Sequence, residues 1–146
     1  MKSNELLLDA FGRIQETVAR TLDGVDGETL VRRPAGNGNS MAWLIWHLSR
    51  VEDAQLASAA GLKQVWTSQG FAGRFMLPLS ERDTGYGHSS SQVDAVKARP
   101  ELLLEYYDAV HRQAVESAGS LIASSTWGRA PYAKGLNALQ RWQESR

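Results

Sequence analysis

The residues that could do chemistry are concentrated in one segment, NSMAWLIWHLSRVED, which spans residues 39–53. Trp43 and His47 are four residues apart and Arg50 follows three later, so on a helix these side chains share one face. His47 lies next to an apolar stripe, and we expect its imidazole to face the packing partner of the helix rather than water. The stripe consists of Leu44, Leu48 and Val51.

Spacing alone leaves two interpretations of His47. A histidine on a helix flank is commonly a structural residue whose nitrogens bind a carbonyl or water, because a buried unsatisfied donor costs about 1–3 kcal/mol. The alternative is a metal ligand, but a metal site needs three or more converging ligands and one imidazole supplies one. The other two histidines, His88 and His111, are interpreted as a loop residue and a helix-flank residue.

Composition excludes several classes of function. The 146 residues fit one domain, and 16 basic against 16 acidic residues create no field for nucleic acid. The chain has no cysteine, which rules out disulfides and thiolate ligands and fits a reducing compartment. Charges are mixed into the apolar residues from the start, which predicts neither a signal peptide nor a membrane span. We therefore expect a cytoplasmic protein without nucleic-acid or membrane partners.

Two amphipathic helices are predicted in the first part of the chain. Apolar residues recur at steps of three or four over residues 7–22, which predicts a first helix that ends by Gly24. Residues 25–38 contain a proline and three glycines and are predicted to form a loop. The second helix is expected to start at a cap on Asn39 or Ser40 and to run to about Ala60, where Gly61 can end it in a left-handed conformation.

The rest of the chain is predicted to contain a long docked connection and a third helix. Residues 62–91 are rich in glycine and serine, but they also carry aromatic residues that favour docking on the helices: Trp66, Phe71, Phe75 and Tyr86. Ser89 and Gln92 have the spacing of a capping box. Pro100 suits the first turn of a helix that continues to about Ser117. Its predicted buried stripe is Leu103, Tyr107, Val110 and Ala114.

Five segments of the sequence resemble the DinB/YfiT-like superfamily, specifically its uncharacterised actinobacterial-type branch. They are LLLDAFGRI, RRPAGNGNS, NSMAWLIWHLSRVED, VWTSQGFAGRFMLP and TGYGHSSSQV, in the family's order over about residues 5–116. The resemblance implies an all-α, up-down four-helix bundle with a divalent metal, zinc or nickel, at one end. Characterised relatives are transferases or isomerases that use low-molecular-weight thiols, such as mycothiol-dependent maleylpyruvate isomerase.

Carried over residue by residue, the resemblance makes His47 a metal ligand. A small-molecule thiol and its substrate would then be partners. Trp43, Trp46 and the loop from Trp66 to Phe75 would form an apolar wall over the site. Arg50 is a candidate for binding a substrate anion. Its alternative is structural, a stack on Trp46 or an ion pair with Asp53 at an exposed position.

The last thirty residues depart from the family pattern. The family's other ligands come from its fourth helix, but this chain has no histidine after His111. Serine, glycine and proline in residues 124–131 lower helix propensity, so we expect a single domain over residues 1–146 with an incomplete fourth helix and an atypical tail over residues 117–146. Codons for the family's Gln-His-Val-Gly-Gln, read one base late, give Ser-Thr-Trp-Gly-Arg, the sequence at residues 125–129.

We therefore hypothesise that part of the tail is read out of frame, together with a deletion before it. The DNA sequence of the gene tests this hypothesis. Two classes of function stay open. One is a metal-dependent transferase or isomerase that uses an imported thiol. The other is a non-catalytic helical domain with a structural role, including homodimerisation.

Overall fold

A computed structural model describes the backbone of residues 3–123 and the side chains of residues 5–118. This part of the chain is helical and contains no strand. Residues 124–146, which carry most of the predicted tail and its incomplete fourth helix, lie outside the described residues. Residues 3–123 form seven α-helices: α1 (Ser3–Leu22), α2 (Gly27–Val31), α3 (Met41–Ala60), α4 (Val65–Ser68), α5 (Phe71–Phe75), α6 (Ser90–Ala95) and α7 (Pro100–Ala123).

The region predicted to be a loop between the first two long helices contains α2. Asp26 precedes α2, and its carboxylate accepts a hydrogen bond from the backbone N–H of Thr29 at 2.8 Å. This bond lowers the pKa of Asp26 below its usual value. Leu30 is fully buried in the core. One apolar residue and one cap are enough to hold a single turn of helix here, and this signal is too short for periodicity to detect.

The ends of α3 are confirmed, but its buried face is not the predicted one. The Ser40 hydroxyl accepts from the backbone N–H of Trp43 at 3.1 Å, and Gly61 ends the helix at φ 67°. Leu44, from the predicted apolar stripe, is 49% exposed. The buried face carries polar side chains that are paired with other elements, and these include Ser49, Arg50, Glu52 and Asp53.

The connection from α3 to α7 is docked, as the aromatic residues predicted. Trp66, Phe71 and Phe75 are buried against the core, whereas Tyr86 is 71% exposed. The Ser89 hydroxyl accepts from the backbone N–H of Gln92, and the side chain of Gln92 accepts from the backbone N–H of Ser89, which confirms the capping box.

The third long helix, α7, begins at Pro100 as predicted and continues beyond Ser117 to Ala123. The four residues of its predicted stripe are buried. The helix packs against α1, where the amide of Gln15 donates to Asp108 at 3.0 Å. It also packs against α3, where the hydroxyl of Tyr106 donates to Asp53.

The relative directions of the long helices follow from these contacts. The end of α1 and the start of α7 line one groove, which includes Leu22 and Pro100, so α1 and α7 are antiparallel. Gln113, two turns after Tyr106, donates to the carbonyl of Lys63, which follows α3. The helices α3 and α7 therefore run in the same direction. A strict up-down alternation does not hold for this pair, because the chain returns along the bundle through residues 61–99.

No helix in the described part of the chain is long and apolar enough to cross a membrane.

Candidate functional site

His47 is the centre of the candidate site, where α3 meets the loop over residues 81–88. Its ring is half-buried and stacks on Trp43, with ring centroids 4.6 Å apart and an angle of 18° between the planes. Its Nδ1 is hydrogen-bonded to the carbonyl oxygen of Thr84. Because a carbonyl only accepts, Nδ1 carries the hydrogen and the neutral ring keeps its lone pair on Nε2.

Gly85 allows the loop to approach this closely. Its φ is +102°, and a Cβ atom built there would lie 2.5 Å from His47 Nδ1 and 3.1 Å from Trp43 Cζ2. A side chain at this position would therefore collide with both rings and would also hold a strained backbone. The first glycine of the sequence TGYGH, Gly85, is therefore required by its contact with the imidazole.

His88 belongs to the same site, although the sequence indicated only a loop residue. Its side chain is 3% exposed, and its ring stacks on Trp46 with centroids 5.7 Å apart. The indole Nε1 of Trp43 donates to His88 Nδ1 at 3.1 Å. His88 Nε2 lies 3.8 Å from a carboxylate oxygen of Asp83 and has no hydrogen bond to any described residue.

Arg50 is fully buried, which corrects the expectation of an exposed position. Its guanidinium lies over the ring of Trp66, 4.8 Å from the centroid, and not over Trp46. The predicted pairing with Asp53 is present at 3.8 Å. Its nitrogen atoms also donate to the backbone of the loop, at the carbonyls of Glu81 and Asp83. These hydrogen bonds and the ion pair compensate the buried positive charge of the Arg50 guanidinium.

Asp53 connects Arg50 to two other elements. Its carboxylate accepts from the backbone N–H groups of Val65 and Trp66, each at 2.8 Å, and so caps the start of α4. It also accepts from the Tyr106 hydroxyl at 2.8 Å. Burial, together with the charge of Asp53, raises the pKa of Tyr106. The carboxylate is fully buried; the guanidinium of Arg50 balances its charge, and the three hydrogen bonds satisfy its oxygen atoms.

A second acidic side chain, Glu52, faces α7. The hydroxyl of Tyr107 donates to Glu52 Oε2 at 2.9 Å, while Oε1 has no partner among the described residues. Burial raises the pKa of the Glu52 carboxyl; the bond from Tyr107 opposes this rise and the charge of Asp53 adds to it. Burial also raises the pKa of Tyr107.

The aromatic residues of the predicted wall lie in two places. Trp43 and Trp46 are buried beside the two imidazoles, and Trp46 makes an edge contact with Trp66 at 6.3 Å. Trp66 and Phe75 pack mainly on Tyr106, behind Arg50. The wall therefore backs the site from the side of α4, α5 and α7.

The described residues do not assemble the ligand set of a metal site. Among them, no three His, Cys, Asp or Glu side chains lie close enough to share an ion. After residue 118 the sequence offers one more side chain of these types, Glu144. A site with three protein ligands, as catalytic zinc requires, does not fit this set.

Sequence reasoning found Trp43, Trp46 and His47 but missed His88, Asp53 and Glu52 as parts of this region. One signal was available, because Ser49, Glu52 and Asp53 lie at helical spacing on a segment with few exposed positions. Polar residues on a buried face must have partners. The partners themselves lie 12 to 55 residues away in sequence, and no local pattern identifies them.

Comparisons with known proteins give two results. The family model described as DinB superfamily matches residues 10–142. The chain is also similar to a solved structure, a conserved protein from Enterococcus faecalis, with 25% identity and a TM-score of 0.74 over 82% of this chain and 71% of that one. No curated protein matches the chain.

Proposed function

Because this chain belongs to the DinB superfamily, we propose that it descends from divalent-metal-dependent enzymes that transfer or isomerise substrates with a low-molecular-weight thiol. His47 is the one ligand of that site which it keeps. The actinobacterial-type branch and the relation to mycothiol-dependent enzymes belong to the same proposal.

The orientation of His47 is the observation that supports this role. A metal-binding histidine commonly donates its other ring N–H to a carbonyl or carboxylate, which fixes the ring and directs the free lone pair at the metal. The bond from Nδ1 to the carbonyl of Thr84 has this form and leaves Nε2 available. A divalent cation bound there would lower the pKa of a thiol or water.

The number of ligands argues that the site is incomplete. One neutral imidazole binds zinc or nickel far more weakly than three converging ligands do. With no cysteine in the chain and one acidic residue after residue 118, the sequence offers few replacements. We therefore propose that the protein does not retain a stoichiometric metal ion through its own side chains.

The residues around His47 keep features of a binding site. Trp43 covers one face of the His47 imidazole, Trp46 covers the neighbouring His88 ring, and Gly85 lets the loop cover His47 Nδ1. A cysteine-free protein would need to import the thiol on which such a site acts. The side chains of Trp43 and Trp46 are the proposed contacts for a thiol or its substrate. For Arg50 this contact remains a prediction, and its burial favours a different role.

A non-catalytic helical domain is the second candidate function. The observation that favours it is the exposure of large apolar side chains on two helices: Leu44 on α3 is 49% exposed, and Leu6 and Leu7 on α1 are 53% and 41% exposed. A homodimer that buries these residues would give the chain a structural role. Sedimentation of the full chain as a monomer at high concentration would exclude the homodimer and with it this support for the alternative.

Metal content tests the main proposal. The full chain, His47→Ala and the matched control His111→Ala are purified, equilibrated with zinc or nickel, desalted and analysed by elemental mass spectrometry. We expect far less than one ion per chain in all three proteins. Stoichiometric metal in the wild type and the control that is lost only in His47→Ala would contradict the proposal and establish a complete site.

A titration separates a retained ligand from an unrelated histidine. We expect millimolar zinc to shift the Nε2 signal of His47 in long-range proton–nitrogen NMR spectra, while the Nδ1 signal stays that of a protonated nitrogen. A His47 signal that does not respond to zinc would remove His47 from the proposed site.

A further inference from the structure

We infer that Arg50 is a positioning residue for His47. Its buried guanidinium holds the backbone of residues 81–83, and this backbone places the carbonyl that fixes the tautomer of the imidazole. The inference goes beyond the proposed function, because it concerns how the ring is held and is independent of any metal or substrate.

The first step is the contact between Arg50 and the loop. Its Nε donates to the carbonyl of Asp83 at 3.0 Å, and its Nη2 donates to the carbonyl of Glu81 at 3.1 Å. Hydrogen bonds from a charged donor are stronger than neutral ones, and their loss in a buried site leaves the charge unpaired. The loop is therefore fixed through its main chain at two places.

The second step runs along the chain from Asp83 to Thr84. The carbonyl of Asp83 and the N–H of Thr84 belong to one planar peptide unit, so fixing the first fixes the second. Only the φ and ψ angles of Thr84 separate this unit from the next carbonyl, which accepts from His47 Nδ1. The close approach of Gly85 to the same ring limits these angles from the other side.

The third step is the anchoring of the guanidinium itself. Its Nη1 donates to the side chain of Gln64 at 2.8 Å and lies 3.8 Å from Asp53. The ring of Trp66 covers its face. The guanidinium is thus fixed on one side by residues of α3 and the start of α4, and on the other side it binds the loop. An anionic substrate would have to break these contacts to bind the guanidinium. A role in holding the site accounts for all of them.

The test uses Arg50→Lys, which keeps the charge but cannot donate in several directions from one plane. The readout is the ratio of the Nδ1–H to the Nε2–H tautomer of neutral His47, measured by long-range proton–nitrogen NMR. We expect the Nδ1–H form to dominate in the wild type. In the variant we expect the ratio to fall about tenfold, as for the loss of one hydrogen bond.

Tyr107→Phe is the matched control. It removes a buried hydrogen bond from α7 to α3, on Glu52, and leaves the hydrogen bonds of Arg50 to the loop in place. We expect it to lower stability without changing the tautomer ratio of His47. A folded Arg50→Lys protein with the ratio of the wild type would overturn the inference.

A second measurement covers the case in which Arg50→Lys does not fold. In the unmodified protein, scalar couplings across hydrogen bonds should connect Arg50 Nε to the carbonyl carbon of Asp83 and His47 Nδ1 to that of Thr84. Absence of either coupling would break the proposed chain of contacts and reject the inference.

Discussion

At the scale of single residues, the two histidines of the site are held in opposite tautomers. His47 donates from Nδ1 to a carbonyl and keeps its lone pair on Nε2. His88 accepts from Trp43 at Nδ1, so its hydrogen is on Nε2, near Asp83. The first ring can therefore act as a ligand or base, whereas the second stabilises the arrangement of the indole and the loop.

Glu52 gives the residue scale a pH-dependent prediction. Because its pKa is raised in the folded protein, the neutral form contributes stability that is complete below the usual pKa of 4.5 and is lost as pH rises through the raised value. Glu52→Gln keeps an acceptor for Tyr107 without the charge. We compare the free energy of unfolding of the variant with that of the wild type at each pH. We expect this difference to favour the variant more at about pH 8 than at pH 4.5, by about 1.4 kcal/mol for each unit by which folding raises the pKa of Glu52.

Urea unfolding at the two pH values measures this gain, and Glu16→Gln, which removes the same charge from an exposed position, is the control. A difference between Glu52→Gln and the wild type that is the same at both pH values would show that the buried carboxyl does not titrate differently on folding.

At the scale of elements, α3 carries most side chains of the site, and the connection from α3 to α7 covers and fixes them. Trp66 and Phe75 of the connection pack on Tyr106, and its backbone carbonyls accept hydrogen bonds from Arg50. The carbonyl of Thr84 accepts from His47. A segment with little regular structure is thus held by buried rings and main-chain hydrogen bonds. This explains how a long loop stays docked in a compact fold.

Gly85 and Gly87 provide a test at this scale. Both have positive φ, but a Cβ atom at Gly85 meets His47 and Trp43, whereas one at Gly87 meets nothing within 4 Å. We expect Gly87→Ala to cost about 1 kcal/mol of stability from backbone strain alone. Gly85→Ala should cost about 2–4 kcal/mol, because overpacking adds to the strain.

Thermal and urea unfolding of the two alanine variants measure the costs, and the ring signals of His47 and Trp43 should move only in Gly85→Ala. Equal costs in the two variants would contradict the close contact of the loop with the imidazole.

What the sequence could predict depends on the range of the interactions. The caps follow from hydrogen bonds within three residues, and the structure confirms Ser89 and, of the two candidates Asn39 and Ser40, Ser40. The Gly61 stop and the Pro100 start follow from the backbone preferences of glycine and proline, and both were predicted correctly. The burial of Arg50 depends on residues 14 to 56 positions away, so the expectation of an exposed residue was wrong.

At the scale of the whole molecule, the parallel course of α3 and α7 is the main difference from the expected alternation. Two parallel neighbours require a connection that travels the length of the bundle, and residues 61–99 provide it. The predicted all-α class is confirmed, and so are the three long helices of the described residues. Its directions were not predictable, because periodicity identifies the face of a helix and not its neighbour.

Cross-linking tests the directions, because the chain has no cysteine of its own. We expect a short bismaleimide to join cysteines introduced at Lys63 and Gln113, whose groups are in contact. The pair Lys63 and Arg99 is the control. It should not react, because residues 99 and 113 are about 20 Å apart along the helix axis. Cross-linking of the control pair alone would establish antiparallel packing.

The hydrogen bonds from Arg50 to the loop backbone have a consequence for how this protein can change over evolution. Arg50 binds carbonyl oxygens of Glu81 and Asp83, and every amino acid offers that atom. Substitutions in residues 81–84 therefore leave the hydrogen bonds of Arg50 intact, whereas inserting or deleting one residue there moves the carbonyl of Thr84 out of reach of His47. Related chains should conserve the length of this stretch more strictly than its side chains.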